Sequence, residues 1–174
     1  MNARSCLRIA LCGIALATMA SCSRHPAPKN TTTPGSLVFP AGIVAPSDWA
    51  SAVRAGIYPS DSAKTCCFLS GEARLTLDNP IGSQVAVFTF YTPSVTPLRS
   101  GERIRFTFEG LTVGNPVELG AGMQDVTLSI PPSLRQRTHL IARLDMSVQW
   151  VPKRIGLNDD LRKLSVILIR VVYL

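Results

Sequence analysis

The stretch Arg103-Ile-Arg-Phe-Thr-Phe-Glu109 decides the fold, because it alternates between polar and apolar residues. In an extended chain successive side chains point to opposite faces, so Ile104, Phe106 and Phe108 share one face. A strand with one apolar and one polar face is typical of an antiparallel sheet that covers a core on one side. Glu109-Gly110 then ends the strand with a turn.

Similar runs occur before and after this strand, and Pro, Gly and Asn residues separate them. No helical pattern longer than about ten residues lies between the runs, which is typical of a β-sandwich. We therefore predict an all-β fold, an antiparallel, jelly-roll-like β-sandwich of six or more strands. The predicted strands cover residues 72–78, 84–91, 103–109, 124–130, 139–148 and 164–173.

The apolar faces of these strands predict the core between the two sheets. Packing is a sufficient role for these side chains, and no ligand contact is expected of them. They are Leu75, Val85, Val87, Ile104, Phe106, Phe108, Val126, Leu128, Ile130 and Val166.

The N-terminus has the layout of an export signal. Two arginines precede an apolar run over residues 9–20, and about twelve residues are too few to span a bilayer core. The run ends in Met19-Ala20-Ser21-Cys22, with small residues just before a cysteine. This ending resembles the lipobox of bacterial lipoproteins.

The lipobox resemblance implies that residues 1–21 are removed and that Cys22 carries the lipid. Several acyl chains on one cysteine, palmitate among them, anchor a protein stably in a membrane. Ser23 follows the cysteine, which by analogy with the family favours the outer membrane, facing the periplasm. An ordinary signal peptide that happens to contain a cysteine is one alternative, and a buried apolar helix is the other.

A proline-rich segment follows the lipidation site. Prolines at positions 26, 28, 34, 40 and 46 favour an extended tether over residues 22–47. Within it, Leu37–Val44 is a candidate edge strand, since prolines are tolerated at a sheet edge. The sandwich domain is expected over residues 48–174, opening with a helical turn at Asp48–Arg54 that Ser47 or Asp48 caps.

The chain has 174 residues and a formal charge of +7, which falls to +5 when Arg4 and Arg8 leave with the signal. The remaining basic residues are scattered, and no basic run is interleaved with aromatic residues. We therefore expect no nucleic-acid partner. Anionic headgroups or acidic glycans are the partners that such a surface favours, and a simple solvated basic surface is the alternative.

Cys66 and Cys67 are the cysteines that remain in the sandwich domain. In an oxidising periplasm thiols seldom stay free, so an adjacent pair predicts a vicinal disulfide. Two reduced cysteines buried as small apolar residues are one alternative, and pairing between molecules is another. The chain has no C-x-x-C motif, which argues against thiol–disulfide catalysis.

Motifs of catalysis and of metal binding are absent from the sequence. It contains no Gly-x-Ser-x-Gly, His-Glu-x-x-His or Ser-x-x-Lys, and the two histidines, His25 and His139, stand apart. We therefore predict no catalytic residue, no metal site and no cofactor. A hydrolase that acts through paired carboxylates is the third functional alternative.

Two polar and aromatic clusters carry a resemblance. They are Gly56-Ile-Tyr58-Pro-Ser-Asp61, with Cys66-Cys67-Phe68 soon after, and the stretch from Trp150 to Val166 with its Asp160-Leu-Arg162. Their order resembles that of the accessory β-sandwich domains of bacterial glycosyltransferases and other polysaccharide-biosynthesis proteins. In that pattern a glutamate stands at the position of Asp61, and an Arg-Trp pair replaces Cys66-Cys67-Phe68.

The resemblance implies a non-enzymatic protein that binds glycan or supports polysaccharide assembly. Aromatic faces stack on the apolar faces of sugars, and Asp, Asn and Arg side chains bind their hydroxyls. Packing at the sandwich edge is the alternative role of the aromatic residues, and a salt bridge that fixes the loop is the alternative for Asp160 and Arg162. The second functional hypothesis is an adaptor that docks on an envelope protein. The candidate ligand-binding residues are Tyr58, Asp61, Trp150, Asn158, Asp160 and Arg162.

Overall fold

The computed structural model describes residues 39–58, 67–98 and 101–174, which form a sandwich of two antiparallel sheets. Strand bounds agree with the predicted runs to within a few residues, apart from three strands that the sequence did not predict. The strands are β1 (Ile57–Tyr58), β2 (Phe68–Leu69), β3 (Glu72–Asp78), β4 (Val85–Thr92), β5 (Glu102–Phe108), β6 (Leu111–Leu119), β7 (Gly122–Ser129), β8 (His139–Met146) and β9 (Ile167–Tyr173).

The sheets have the strand orders β1-β2-β9-β4-β7 and β3-β8-β5-β6. Strand β2 pairs with β9, β3 with β8, β4 with β7 and β5 with β6, all antiparallel. This nested pairing is that of one long hairpin rolled up on itself, which is the jelly-roll arrangement. The predicted fold class is therefore confirmed.

Helical structure in the described residues is short. Helix α1 spans Trp49–Arg54, and Asp48 is its N-cap. The Asp48 carboxylate accepts a hydrogen bond of 2.7 Å from the amide of Ser51, and this bond lowers the pKa of Asp48. The predicted helical turn and its cap are thus confirmed. Three 3-10 turns lie in the connections, at Thr96–Leu98, Pro132–Leu134 and Pro152–Ile155.

Four phenylalanines join the two sheets at the centre of the core, and they are Phe88, Phe90, Phe106 and Phe108. Phe88 and Phe90 of β4 stack at 6.1 Å, and Phe106 of β5 lies 5.3 Å from Phe88, centroid to centroid. Val85 and Val87 were predicted to be core residues, and this is wrong. Both faces of β4 are apolar in sequence, so alternation could not choose the buried face, and the larger rings occupy it.

Strand β6 was not predicted, because Gly114-Asn115-Pro116 interrupts its alternation. It lies at the edge of the four-stranded sheet, where a proline costs no ladder hydrogen bond. The register of the β5–β6 pair shifts between Ile104 and Phe106, opposite the interruption. The edge therefore accommodates a sequence that a central strand would exclude.

The described part of the predicted tether, residues 39–47, packs along the sandwich. Ile43 forms a bridge with Leu77 of β3, and the amide of Val171 on β9 donates to the carbonyl of Ala41 at 2.9 Å. This segment is therefore held against both sheets, at β3 and at β9. Residues 22–38 lie outside the described residues.

Strand directions give the sandwich two distinct ends. Strand β8 ends at Met146 and β5 begins at Glu102 on one side, which we call the Trp150 end. At the other side β3 ends at Asp78 and the turn containing Ile81 leads into β4, and we call this the Ile81 end. Most of the candidate ligand-binding residues lie at the Trp150 end.

Candidate functional site

Tyr58 and Arg162 come together at the Trp150 end. The guanidinium carbon of Arg162 lies over the Tyr58 ring, 5.9 Å from its centroid, in a cation–π contact. Tyr58 is half-buried on β1, and β1 reaches β9 through β2. This short edge of the five-stranded sheet therefore brings together two residues that are far apart in sequence.

Asp160 fixes the position of Arg162. Its carboxylate accepts hydrogen bonds from the Arg162 Nε at 2.8 and 2.9 Å and from the Arg162 amide at 2.8 Å. The hydrogen bond from the Arg162 side chain lowers the pKa of Asp160. Asn158 in turn accepts a hydrogen bond of 2.9 Å from the amide of Asp160. Asn158, Asp160, Arg162 and Tyr58 thus form one connected series.

These contacts are those of a salt bridge that fixes the loop, which is the alternative role of Asp160 and Arg162. The pair is a bidentate one with additional backbone hydrogen bonds, which gives it a defined geometry. The side chains are 14% and 26% exposed, so both remain partly accessible. The series therefore holds the Tyr58 ring and a guanidinium in fixed positions at the surface.

A cavity of about 380 Å³ opens beside Tyr58. Arg54 and Arg74 bring two cations to it, and Glu72 brings a carboxylate that also pairs with Arg143 at 3.2 Å. Gly56 lines the cavity with a left-handed φ of 74°, and a Cβ there would lie 2.0 Å from the carbonyl oxygen of Glu72. The cavity is therefore polar, with an aromatic wall at Tyr58.

Trp150 is almost fully buried, with 6% exposure. It packs with Leu98 and Leu164, meets Phe68 edge to face at 6.2 Å, and donates from Nε1 to the carbonyl of Ser165 at 2.9 Å. These contacts agree with the alternative role of Trp150, which is packing at the sandwich edge. Only a small part of the ring is left to contact a ligand.

A second cavity, of about 340 Å³, lies where this small part of Trp150 reaches the surface. Pro97 and Ile155 add apolar walls, and Arg154 and Lys163 bring two cations. This cavity is the more apolar of the two.

Glu102 is a buried carboxylate that the sequence analysis missed. Its Oε1 accepts hydrogen bonds from the amides of Arg103, Ser147 and Val148 at 2.6–3.0 Å, and from the Ser147 hydroxyl at 2.8 Å. Its Oε2 accepts from the Ser165 hydroxyl at 2.7 Å. A signal was present, because Glu102 continues the inward-facing series of β5 as its only polar member. Since these donors satisfy the carboxylate, its role is to hold the Trp150 end together.

Three of the predicted site residues, Cys22, Asp61 and Cys66, lie outside the described residues. Cys67 is buried and disulfide-bonded, and no other cysteine of the chain is among the described residues. The vicinal disulfide therefore stays a prediction. Within residues 39–58, 67–98 and 101–174, no group of three His, Cys, Asp or Glu residues could hold a metal ion.

No helix among the described residues is long and apolar enough to cross a membrane. The chain matches no protein-family model, and no curated protein is significantly similar to it in sequence.

Proposed function

We propose that the chain is a lipid-anchored protein of the bacterial cell envelope and has no enzymatic activity. Its sandwich binds a glycan in the cavity of about 380 Å³ beside Tyr58, which we call the Tyr58 cavity. The observation that carries the binding proposal is the half-buried Tyr58 ring, which Arg162 and Asp160 hold at the wall of an open polar cavity. The export signal and Cys22 support the anchoring.

The chemistry of the cavity suits a sugar. Its volume of about 380 Å³ falls within the range of small-ligand sites, roughly 300–1,000 Å³. The apolar face of a pyranose packs on an aromatic ring, and planar Arg and Glu side chains bind pairs of neighbouring hydroxyls. With Arg54 and Arg74 on its wall, the cavity favours a sugar that bears a carboxylate or phosphate.

Glycan binding is tested with an array of neutral and acidic bacterial oligosaccharides. Tyr58→Ala is expected to weaken binding about tenfold, the scale of a lost aromatic contact. Tyr91→Ala is the matched control, because Tyr91 is an exposed tyrosine of β4 that does not line the cavity. Equal binding by both variants, or no binding of any glycan by the unaltered protein, contradicts the proposal.

The anchor is tested separately. Cells that express the chain are labelled with palmitate, and we expect label in the unaltered protein but none in Cys22→Ser. Fractionation of the two membranes then tests the outer-membrane location that Ser23 favours. Labelling of Cys22→Ser to the same extent would contradict the lipobox assignment.

The alternative function, an adaptor that docks on an envelope protein, has its own observation. Tyr91 of β4 and Met123 of β7 lie opposite each other in the sheet register, and both are exposed. Aromatic and methionine side chains are enriched at protein interfaces. A membrane protein that co-purifies with the chain, is lost in Met123→Ser and is retained in Tyr58→Ala would favour the adaptor.

A further inference from the structure

The loop that follows Trp150 concentrates exposed apolar side chains. Within residues 155–161, Ile155, Leu157 and Leu161 are all exposed, Leu157 to 58% and Leu161 to 69%. Gly156, with a left-handed φ of 75°, ends the 3-10 turn just before Leu157. Single exposed leucines are ordinary, but three large apolar residues in one loop indicate a contact surface.

The same loop carries positive charge that no acid neutralises. Asp159 forms an ion pair with Lys153 at 3.2 Å, and Asp160 forms one with Arg162. Arg154 and Lys163 form no ion pair with any residue that the structure describes. The loop therefore presents apolar side chains next to two uncompensated cations.

The two cations also border the cavity of about 340 Å³ at Trp150, whose walls include Pro97 and Ile155. An apolar recess with cations beside it matches the junction between anionic headgroups and acyl chains. A protein partner would need acidic and apolar groups in a matching arrangement, whereas an anionic bilayer offers both everywhere.

We propose that the loop of residues 153–163 docks on an anionic phospholipid surface. Leu157 and Leu161 enter the boundary between headgroups and acyl chains, and Arg154 and Lys163 bind phosphates. This contact is additional to the lipid on Cys22 and does not depend on it. It turns the Trp150 end of the sandwich towards the bilayer.

The test removes the lipid anchor and measures the loop alone. A chain that begins at Ser23 keeps the compact unit Pro34–Leu174, and its co-sedimentation is measured with vesicles of phosphatidylcholine, alone or mixed with phosphatidylglycerol. Binding is expected to the mixed vesicles. The double substitution Arg154→Gln and Lys163→Gln is expected to weaken it about twenty-fivefold, at about fivefold for each cation.

The double substitution Leu157→Ser and Leu161→Ser is expected to weaken binding at least about tenfold. Ile81→Ser is the matched control, because Ile81 is 65% exposed and lies at the opposite end of the sandwich. Urea midpoints of all variants confirm that they fold. Binding that survives the leucine substitutions, falls equally in Ile81→Ser, or is equal for neutral vesicles overturns the proposal. Because no glycan is present and the protein that begins at Ser23 carries no lipid of its own, these results are independent of the glycan and anchor experiments.

Discussion

Glu102 Oε2 accepts a hydrogen bond of 2.7 Å from the Ser165 hydroxyl, which ties the first residue of β5 to the segment before β9. These two strands belong to different sheets, so the contact closes the sandwich at its Trp150 end. The carbonyl of Ser165 also accepts from the indole of Trp150. The Trp150 end of the sandwich is therefore held by a buried polar network as well as by apolar packing.

Glu102→Gln is expected to lower the free energy of unfolding by about 2–4 kcal/mol. The amide that replaces one carboxylate oxygen cannot accept, so buried donors of Ser147, Val148 or Ser165 lose their partner. Urea denaturation measures the change. Glu118→Gln is the control, because Glu118 is 70% exposed and its ion pair with Arg103 lies at the surface. Equal stability of Glu102→Gln and the unaltered protein would show that the network contributes nothing.

Trp150→Phe is expected to destabilise the sandwich by about 1–3 kcal/mol, because it removes the hydrogen bond to Ser165 and part of the packing against Leu164. Trp150→Ala costs about 3–5 kcal/mol, as other large cavities do. Both are measured by urea denaturation. Because Trp150→Ala combines a large loss of stability with any loss of a ligand contact, Tyr58→Ala is the variant that tests the ligand.

Strand periodicity predicted the sandwich because a half-buried strand repeats every two residues, as Glu102–Phe108 does. The same rule failed in β4, where Val85 and Val87 compete with Phe88 and Phe90 for the buried face. Only the opposing sheet decides between the faces, and one strand's sequence does not contain that information.

The candidate site was predictable in residue types but not in contacts. Asp160 and Arg162 are two residues apart, and a hydrogen bond from the Arg162 amide to the Asp160 carboxylate joins them, which a local pattern can indicate. Tyr58 meets Arg162 only because β1 and β2 extend the sheet that holds β9. Trp150 could have stacked on a ligand or packed in a core, and its type suits both.

Gly42→Ala is expected to release the segment of residues 39–47 from the sandwich. Gly42 has a φ of 80°, and a Cβ there would lie 2.3 Å from the backbone oxygen of Val171. Faster cleavage in this segment by limited proteolysis is the measurement. Gly82→Ala is the control, since Gly82 has a φ of 88° but no atom within 4 Å of the added Cβ. It shares the backbone strain of about 1–2 kcal/mol without the clash. Equal cleavage rates in the two variants would contradict the expectation.

Asp160→Asn is expected to remove part of the acid sensitivity of the protein. The hydrogen bond from Arg162 lowers the pKa of Asp160 below its ordinary value of 3.8. The carboxylate therefore stabilises the folded state fully above pH about 4, and this contribution is lost as the pH falls through the lowered pKa. Urea denaturation between pH about 2 and 6 compares the two proteins. The stability difference between them should shrink on acidification, and a constant difference would exclude the linkage.

Tyr173→Phe is expected to change stability in alkaline solution. Burial raises the pKa of Tyr173 above its ordinary value of 10.0, and the negative charge of Asp78 raises it further. A raised pKa gives stability that is complete below pH about 10 and is lost as the pH rises towards the folded-state pKa. Because the hydroxyl also donates to the Gly42 carbonyl at 3.3 Å, Tyr173→Phe is the less stable protein near neutral pH. Above pH about 10 the unaltered protein loses this advantage, because its unfolded chain ionises while its folded hydroxyl stays neutral. Urea denaturation between pH about 8 and 11 measures the free energy of unfolding of both proteins. A difference in this free energy that stays constant over the range would contradict the raised pKa of Tyr173.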